Sequence, residues 1–433
     1  MLWIVYNLLF PPVFLLMLPK FLTRMVRRGG YGRHFEQRLG FFGSGTRAKL
    51  KAAPRVWVHA VSVGEIRVAL RFMQAWRACD PGVRFALSTT TSTGHAIAER
   101  ELDERDVLFY FPVDLPMIVR KVLKIVGPVR IVLVEGEYWP NLVRLAHRRG
   151  VAVSVINGRM SERSWRGYRK LRPLMRDVLG MIDPICVRGE ADARRLVDLG
   201  AAPERTHVVG SVKFDVATRD PAAERRAREA LAGIGVPEDA IVLLGGSTWP
   251  GEEDVLCGIY KRLRGRYPNL FLVLVPRHVE RAPEVVRCLE RHGLSYARRG
   301  GGEAPGALPD ALFVDTTGEL AGFYAAADVV FVGKSLCARG GQNPIEPAAC
   351  GRPTIVGPHM ENFPAVMPAL LDAGAVRQVK DAEELEAEIG RLVGDSEARN
   401  AQGARAAEAV EGNRGAIRRT LEKLRTEAGS AGT

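Results

Sequence analysis

The sequence predicts an α/β protein of two units, each a mostly parallel sheet with helices on both faces. Short apolar runs alternate with amphipathic helical segments along the chain, a pattern typical of parallel sheets. The series is interrupted by a charged stretch at 215–228 and then begins again, so we expect two Rossmann-sized units. With 433 residues and 47 % hydrophobic composition, the chain is long enough to build both cores.

Each predicted element follows from its pattern. The first series contributes strands at 56–61, 83–88, 129–135, 151–156, 185–188 and 207–209, with helices at 65–78, 94–104 and 142–149. The second series contributes strands at 240–245, 270–275, 312–314, 329–332 and 354–356, a helix at 253–266 and a helical tail from 383. Residues 43–54 are interpreted as a linker. The predicted divisions are a membrane anchor at 1–28 and domains at 29–215 and 216–425.

The anchor is predicted because residues 2–19 carry no charge and would span about 27 Å as a helix. Basic residues follow this run, which predicts that the body lies on the cytoplasmic side of the membrane and against anionic lipid. Pro11 and Pro12 would kink the helix, so a segment lying in the membrane interface and a buried core helix are the alternatives.

The formal net charge of +13 favours an acidic partner, which composition alone leaves open as nucleic acid, anionic lipid or a phosphorylated substrate. The basic stretch 157–173 suits a phosphorylated acceptor, and because no standard nucleic-acid motif occurs we expect no nucleic-acid partner. The chain has no P-loop, Asp-x-Asp pair or G-x-G-x-x-G, which disfavours metal-dependent phosphoryl chemistry and a dinucleotide oxidoreductase.

Polar residues follow the predicted strands in both halves, where open α/β sheets bind ligands. Glu65 lies where a strand passes into a helix, and a first-turn capping acid is its structural alternative. In the second half, Arg277 follows a strand and suits a phosphate. The glycine-rich stretch 333–358 leads to a predicted helix start at Asn343, which also suits a phosphate.

Eight motifs together resemble the 3-deoxy-D-manno-octulosonic acid (Kdo) transferases. They are HAVSVGE, STTTSTG, FPVDLP, EGEYWPNL, GSVKFD, VPRHVER, DTTGEL and GGQNPIEPAA, in this order. The resemblance implies a GT-B fold with two Rossmann-like domains facing a cleft. It also implies inverting transfer of Kdo from CMP-Kdo to a phosphorylated lipid A precursor, in lipopolysaccharide synthesis, without a metal or cofactor. The alternatives are another activated sugar, or a membrane-attached anion-binding protein without catalysis.

The resemblance also implies residue roles. Glu65 matches the general base, and Glu135 and Lys213 match positions that stabilise the transition state. The CMP contacts match Pro276, Arg277, Thr317, Gly318, Glu319, Asn343, Pro344, Ile345 and Glu346. The positions assigned to the acceptor are Ser62, Gly64, Thr93 and Arg159. Two departures, Gln342 and Trp249, stand where the family often has histidine.

Overall fold

The computed structural model describes residues 3–12, 16, 34–301 and 306–426, which form two compact units. The first unit holds the described residues up to Val212 together with those from Gly415 onward, and the second extends from Lys213 to Arg414. Each unit contains a seven-stranded sheet, and the recorded strand pairs are parallel in both. The prediction of two parallel α/β units is therefore confirmed.

The sheet of the first unit has the strand order β3-β2-β1-β4-β5-β6-β7. Its strands are β1 Arg55–His59, β2 Phe85–Thr89, β3 Val107–Tyr110, β4 Pro128–Val134, β5 Ala152–Gly158, β6 Ile185–Val187 and β7 Thr206–Val208. Its helices before the crossing are α1 Ser44–Lys51, α2 Val63–Cys79, α3 Ser92–Glu101, α4 Pro116–Val126, α5 Pro140–His147, α6 Glu162–Arg169, α7 Arg172–Leu179 and α8 Glu190–Asp198. The order reverses between β1 and β4, and ligands bind at such a switch point in open α/β sheets.

The sheet of the second unit has the order β10-β11-β9-β8-β12-β13-β14. Its strands are β8 Ile241–Thr248, β9 Leu270–Pro276, β10 Tyr296–Arg298, β11 Ala311–Phe313, β12 Val329–Val332, β13 Thr354–Val356 and β14 Val376–Gln378. The short helix α9 Val212–Val216 carries the chain into this unit, and α10 Pro221–Gly233, α11 Glu252–Arg264, α12 Ala282–Arg291, α13 Leu320–Ala326, α14 Ile345–Ala349, α15 Met367–Asp372, α16 Ala382–Gly394 and α17 Ser396–Asn413 follow.

The last described helix, α18 Ala416–Thr426, returns to the first unit. Ile417 and Leu421 pack in the same apolar cluster as Ile66 and Phe72 of α2. The division drawn from the sequence had placed this stretch in the domain 216–425. A surface helix joins the sheet against which its apolar face packs, and sequence order does not determine which sheet that is.

The interpretation of residues 43–54 as a linker is wrong, because α1 forms there. Leu50, 1 % exposed, packs in the core of the first unit, and this burial supports a helix that its polar neighbours do not reveal. Three edge strands, β3, β10 and β14, were also missing from the predicted series.

The N-terminal residues 3–12 are helical, whereas the rest of the predicted anchor 1–28, apart from residue 16, lies outside the described residues. In the part of the chain that the structure describes, no helix combines the length and apolar character needed to cross a membrane. The N-terminal helix is attached to the first unit by polar contacts. The Tyr6 hydroxyl donates to Asp114 Oδ2 at 3.0 Å, and Asn141 Nδ2 donates to Asn7 Oδ1 at 2.9 Å.

Candidate active site

Glu65 is fixed at the carboxyl end of β1, in the first turn of α2. The Val61 N–H donates to its Oε2 at 2.9 Å, and the Ser62 hydroxyl donates to its Oε1 at 2.8 Å. Ser62 is the N-cap of α2 and accepts from the Glu65 N–H at 3.4 Å, so the pair forms a capping box. Glu65 therefore helps to begin the helix, and its carboxylate also occupies one defined position at the sheet edge.

Burial raises the pKa of Glu65 above its ordinary value, since desolvation disfavours the ionised form. The hydrogen bonds from Val61 and Ser62 oppose this shift, and the charge of Glu135 adds to it. A carboxylate with a raised pKa accepts a proton more readily than an exposed one, which suits a general base.

Glu135 follows β4, the neighbour of β1, and has a left-handed backbone with φ of 65°. Asn157, at the end of β5, is also left-handed with φ of 51°, and its Nδ2 donates to Glu135 Oε1 at 3.3 Å. Four of the five non-glycine residues with positive φ in the described chain lie at carboxyl ends of strands, two in each unit. Such backbone strain concentrates at functional sites, so it supports a functional role for the carboxyl ends of the strands in each sheet.

Arg188, which the sequence reasoning missed, completes this group. It follows β6 directly, and its guanidinium forms an ion pair with Glu135 while its Nε donates to the Asn157 carbonyl at 3.1 Å. The Arg188 side chain is only 5 % exposed, and this burial lowers the pKa of its guanidinium. An arginine directly after a buried strand was the signal used for Arg277, and the same signal was present here.

Glu137 is a third carboxylate at the same edge, and it was also left out of the predicted site. Burial is the main cause, and together with the negative charges of Glu65 and Glu135 it raises the pKa of Glu137 to about 7. The neighbouring side chain of Trp139 partly opposes the shift. Three mutually repelling carboxylates thus share the carboxyl edge of β1 and β4, one of them with a pKa near neutrality.

The positions predicted to bind the acceptor border this group. Ser62 and Gly64 are exposed beside Glu65, and Thr93 is exposed in α3, which follows the neighbouring strand β2. Arg159 follows β5, and its positive charge acts on Arg188, so it lies near the ion pair. The edge therefore combines carboxylates, hydroxyls and arginines.

The predicted donor residues lie at the carboxyl edge of the second sheet. Pro276 ends β9 and Arg277 follows it, residues 317–319 follow β11, and residues 343–346 follow β12. These strands lie in the order β11-β9-β8-β12 in the sheet. The side chain of Arg277 is exposed, and its backbone N–H donates to the Thr248 carbonyl at 3.1 Å. The sheet thus brings all three predicted donor segments to one edge.

The loops of the donor edge are internally bonded. Asn343 Nδ2 donates to Glu346 Oε1 at 2.9 Å, and Asn343 Oδ1 accepts from the Ile345 N–H at 3.2 Å, which orients the start of α14. Glu319 accepts from Arg299 at 2.9 Å, so its carboxylate is already paired with a cation. Backbone amides and the exposed Arg277 are therefore the better candidates for contacts with an anionic ligand.

Glu252 supports the glycine-rich loop, and sequence reasoning had not identified it. Its side chain is fully buried at the start of α11 and accepts from the backbone N–H groups of Lys334, Ser335 and Leu336 at 2.8 to 3.0 Å. Lys334 has a left-handed φ of 57°. One buried carboxylate thus holds the strained turn that leads to Asn343.

Lys213 belongs to the second unit, whereas Glu65 and Glu135 belong to the first. Its Nζ lies 4.0 Å from the centroid of the Phe363 ring, a cation–π contact. The structure therefore brings together the predicted carboxylates in one unit, and places the predicted lysine in the unit that carries the residues predicted to bind the donor.

Two parallel α/β units of this kind also occur in solved proteins of the same fold. A UDP-GlcNAc 2-epimerase from Neisseria meningitidis, solved with UDP-GlcNAc, matches with a TM-score of 0.60 and 12 % identity, covering 86 % of this chain and 100 % of that one. Anabaena HepE in complex with UDP matches with a TM-score of 0.57 and 12 % identity, covering 87 % and 100 %. At this identity the likeness concerns the fold alone.

The family follows from closer relatives. The family model described as 3-Deoxy-D-manno-octulosonic-acid transferase (kdotransferase) matches residues 33–216. A 3-deoxy-D-manno-octulosonic acid transferase of Bordetella pertussis is 36 % identical, covering 93 % of this chain and 94 % of the relative. One from Haemophilus influenzae is 30 % identical, covering 92 % of each. The chain belongs to the Kdo transferase family and is a glycosyltransferase, which confirms the resemblance.

Proposed function

We propose that this chain transfers Kdo from CMP-Kdo to a hydroxyl of a phosphorylated lipid A precursor, with inversion at the anomeric carbon. Family membership supplies the sugar. The observation that carries the chemistry is the Glu65 carboxylate, which two hydrogen bonds fix at the switch point of the first sheet while burial raises its pKa.

The reaction is one displacement. Glu65 takes the proton of the acceptor hydroxyl as its oxygen attacks the anomeric carbon, and the bond to the CMP phosphate breaks with its electrons on the leaving phosphate. A single displacement inverts the configuration and needs no protein nucleophile. Lys213, Arg277 and backbone amides near Asn343 offset the negative charge on the leaving group. Arg159 and Arg188 supply positive charge at the acceptor edge.

We further propose that the protein works at the cytoplasmic face of an inner membrane. The N-terminal helix, attached through Tyr6 and Asn7, exposes Ile4, Leu8 and Leu9 at 64 %, 68 % and 58 %. This exposed apolar face suits insertion into the interfacial layer of a bilayer. The net charge of +13 favours anionic headgroups. The lipid-borne acceptor would then be presented at the same surface.

The test compares Glu65→Gln with Glu137→Gln, two variants that make the same change at neighbouring carboxylates. Each is incubated with CMP-Kdo and a tetraacyl lipid A precursor, and the products are weighed by mass spectrometry. We expect Glu65→Gln to lose about 10²–10⁴-fold in kcat while it still binds CMP, because a general base contributes about that much. Glu137→Gln should retain most activity.

The opposite ranking, with Glu137→Gln inactive and Glu65→Gln active, would reassign the base to Glu137. A wild-type chain that binds CMP but forms no product would refute the proposed reaction. Substituting other activated sugars in the same assay tests the alternative donor.

A further inference from the structure

A cluster of metal-ligating side chains lies on two adjacent helices of the second unit, separate from the predicted donor residues. Asp254 is in the first turn of α11, Cys288 is in α12, and His292 caps the end of α12. One ligand atom from each of the three lies within 4.8 Å of those of the other two. We propose that these three side chains bind a thiophilic divalent cation such as Zn²⁺.

The arrangement follows from helix geometry. Cys288 and His292 are four residues apart, so they lie on one face of α12, and α11 packs against that face. His292 Nε2 lies 3.1 Å from Asp254 Oδ1, and Cys288 Sγ lies 3.7 Å from the same oxygen. Tetrahedral zinc with its usual bond lengths separates its ligand atoms by about 3.3–3.8 Å, so small side-chain adjustments close the site.

The chemistry of the ligands selects the cation. Thiolate and imidazole together favour zinc over magnesium or calcium, which prefer oxygen ligands. Cys288 binds as the thiolate, so its proton leaves to solvent when the metal binds. The buried thiol of Cys257, three residues from Asp254 on α11, lies outside this group of three ligands.

Space is available on the outer side of the cluster. A cavity of about 340 Å³ is bordered by Asp254 and Cys288, and also by Glu284 and Arg291. Arg291 donates to Asp254 Oδ1 at 3.1 Å and competes with a cation, but its side chain is 66 % exposed and is free to turn into solvent. Cys288 Sγ, His292 Nε2 and Arg291 Nη1 all contact the same oxygen, Oδ1 of Asp254.

A metal here would join α11 to α12, and α11 begins with Glu252, the residue that holds the donor loop. We therefore assign the metal a structural role. It would hold α11, and with it Glu252, in place beneath the glycine-rich loop, and it would take no part in the sugar transfer. The inference does not depend on the proposed acceptor or on the identity of the base.

The experiment uses the full chain, stripped with a chelator and titrated with Co²⁺ as a spectroscopic probe and then with Zn²⁺. We expect a near-ultraviolet thiolate-to-cobalt band that Zn²⁺ abolishes, and a higher Tm with Zn²⁺. Cys288→Ser should abolish the band. Asp254→Asn, which changes a side chain that is 48 % exposed and should leave folding intact, should weaken Co²⁺ binding at least tenfold. Cys79→Ser, which changes an exposed thiol of the first unit, is the matched control and should keep the band.

The proposal is overturned if the wild-type chain gives no band, or if the band survives in Cys288→Ser. It is also overturned if Asp254→Asn binds Co²⁺ as tightly as the wild-type chain. Circular dichroism of each variant separates loss of the ligand from loss of the fold.

Discussion

Glu137→Gln tests the electrostatics of the carboxyl edge most directly. The pKa of Glu137 is raised from about 4.5 to about 7 in the folded chain. The folded state therefore binds this proton more tightly than the unfolded state does. Stability gained from the proton is fully present below about pH 4.5 and is lost as the pH rises through about 7. The neutral glutamine keeps the shape of the side chain but has no charge that burial can destabilise.

The magnitude follows from the same shift. A pKa difference of about 2.5 is worth about 3 kcal/mol, at roughly 1.36 kcal/mol for each unit. Glu137 is only partly buried, so solvent screens some of this, and we expect about 2–3 kcal/mol. Glu137→Gln should therefore be more stable than the wild-type chain by that amount at pH 8. The advantage should vanish near pH 4.5.

The assay is urea unfolding at several pH values between about 4.5 and 8, monitored in both proteins by tryptophan fluorescence. Glu104→Gln changes an exposed glutamate in the same unit and controls for the amide itself. A stability difference between Glu137→Gln and wild type that stays constant with pH would show that Glu137 is not desolvated beside two other charges. The claim that burial and the charges of Glu65 and Glu135 raise the pKa of Glu137 would then be refuted.

Three further predictions concern the contacts around both edges. Arg188→Ala leaves Glu135, which is 23 % exposed, without its ion pair, so the free energy of unfolding measured with urea should fall by about 2–3 kcal/mol. Arg188→Lys should restore part of this stability, and an unchanged urea midpoint in Arg188→Ala contradicts the prediction. Glu252→Gln replaces one oxygen that accepts from the amides of Lys334 and Ser335 by an NH₂ donor. In steady-state kinetics the KM for CMP-Kdo should then rise by a larger factor than kcat falls. An unaltered KM argues against a role for Glu252 in holding the glycine-rich loop. Leu8→Glu should weaken binding to anionic vesicles at least tenfold in flotation, because burying a leucine is worth about 1.5–3 kcal/mol, whereas Leu371→Glu, in the second unit, should have no effect.

The alternation of apolar strands and helices was sufficient to predict both sheets, because strands buried on two faces read as continuous apolar runs. In β4, for example, Ile131 and Leu133 are fully buried, and so are their neighbours Val132 and Val134, which face the other side. Edge strands such as β10 and β14 were missed because they are short and partly exposed, so the apolar pattern is weak there. The helix α1 was missed because its stability comes from the burial of Leu50, a tertiary contact.

The candidate site was only partly predictable for a similar reason. Glu65 and Arg277 stand beside recognisable strands, so their positions could be predicted from the order of elements. The pairing of Glu135 with Arg188, 53 positions apart, depends on which strands are neighbours in the sheet. The pKa of Glu137 depends on burial and on two other charges, which no local pattern records.

The return of α18 makes the second unit an insertion within the first. Val212 is the last residue of the first unit before the chain enters the second, and Ala416 lies just after its return. Both belong to one apolar cluster, and Arg419 Nε donates to the Val209 carbonyl at 2.9 Å, so the segments where the chain leaves and re-enters the first unit are in contact. A short glycine-serine bridge from 212 to 415 should therefore yield a free-standing first unit, while 213–414 is an uninterrupted stretch for separate expression. Cutting the gene at the midpoint instead would strip α2, the helix of Glu65, of its partner and expose the cluster to water.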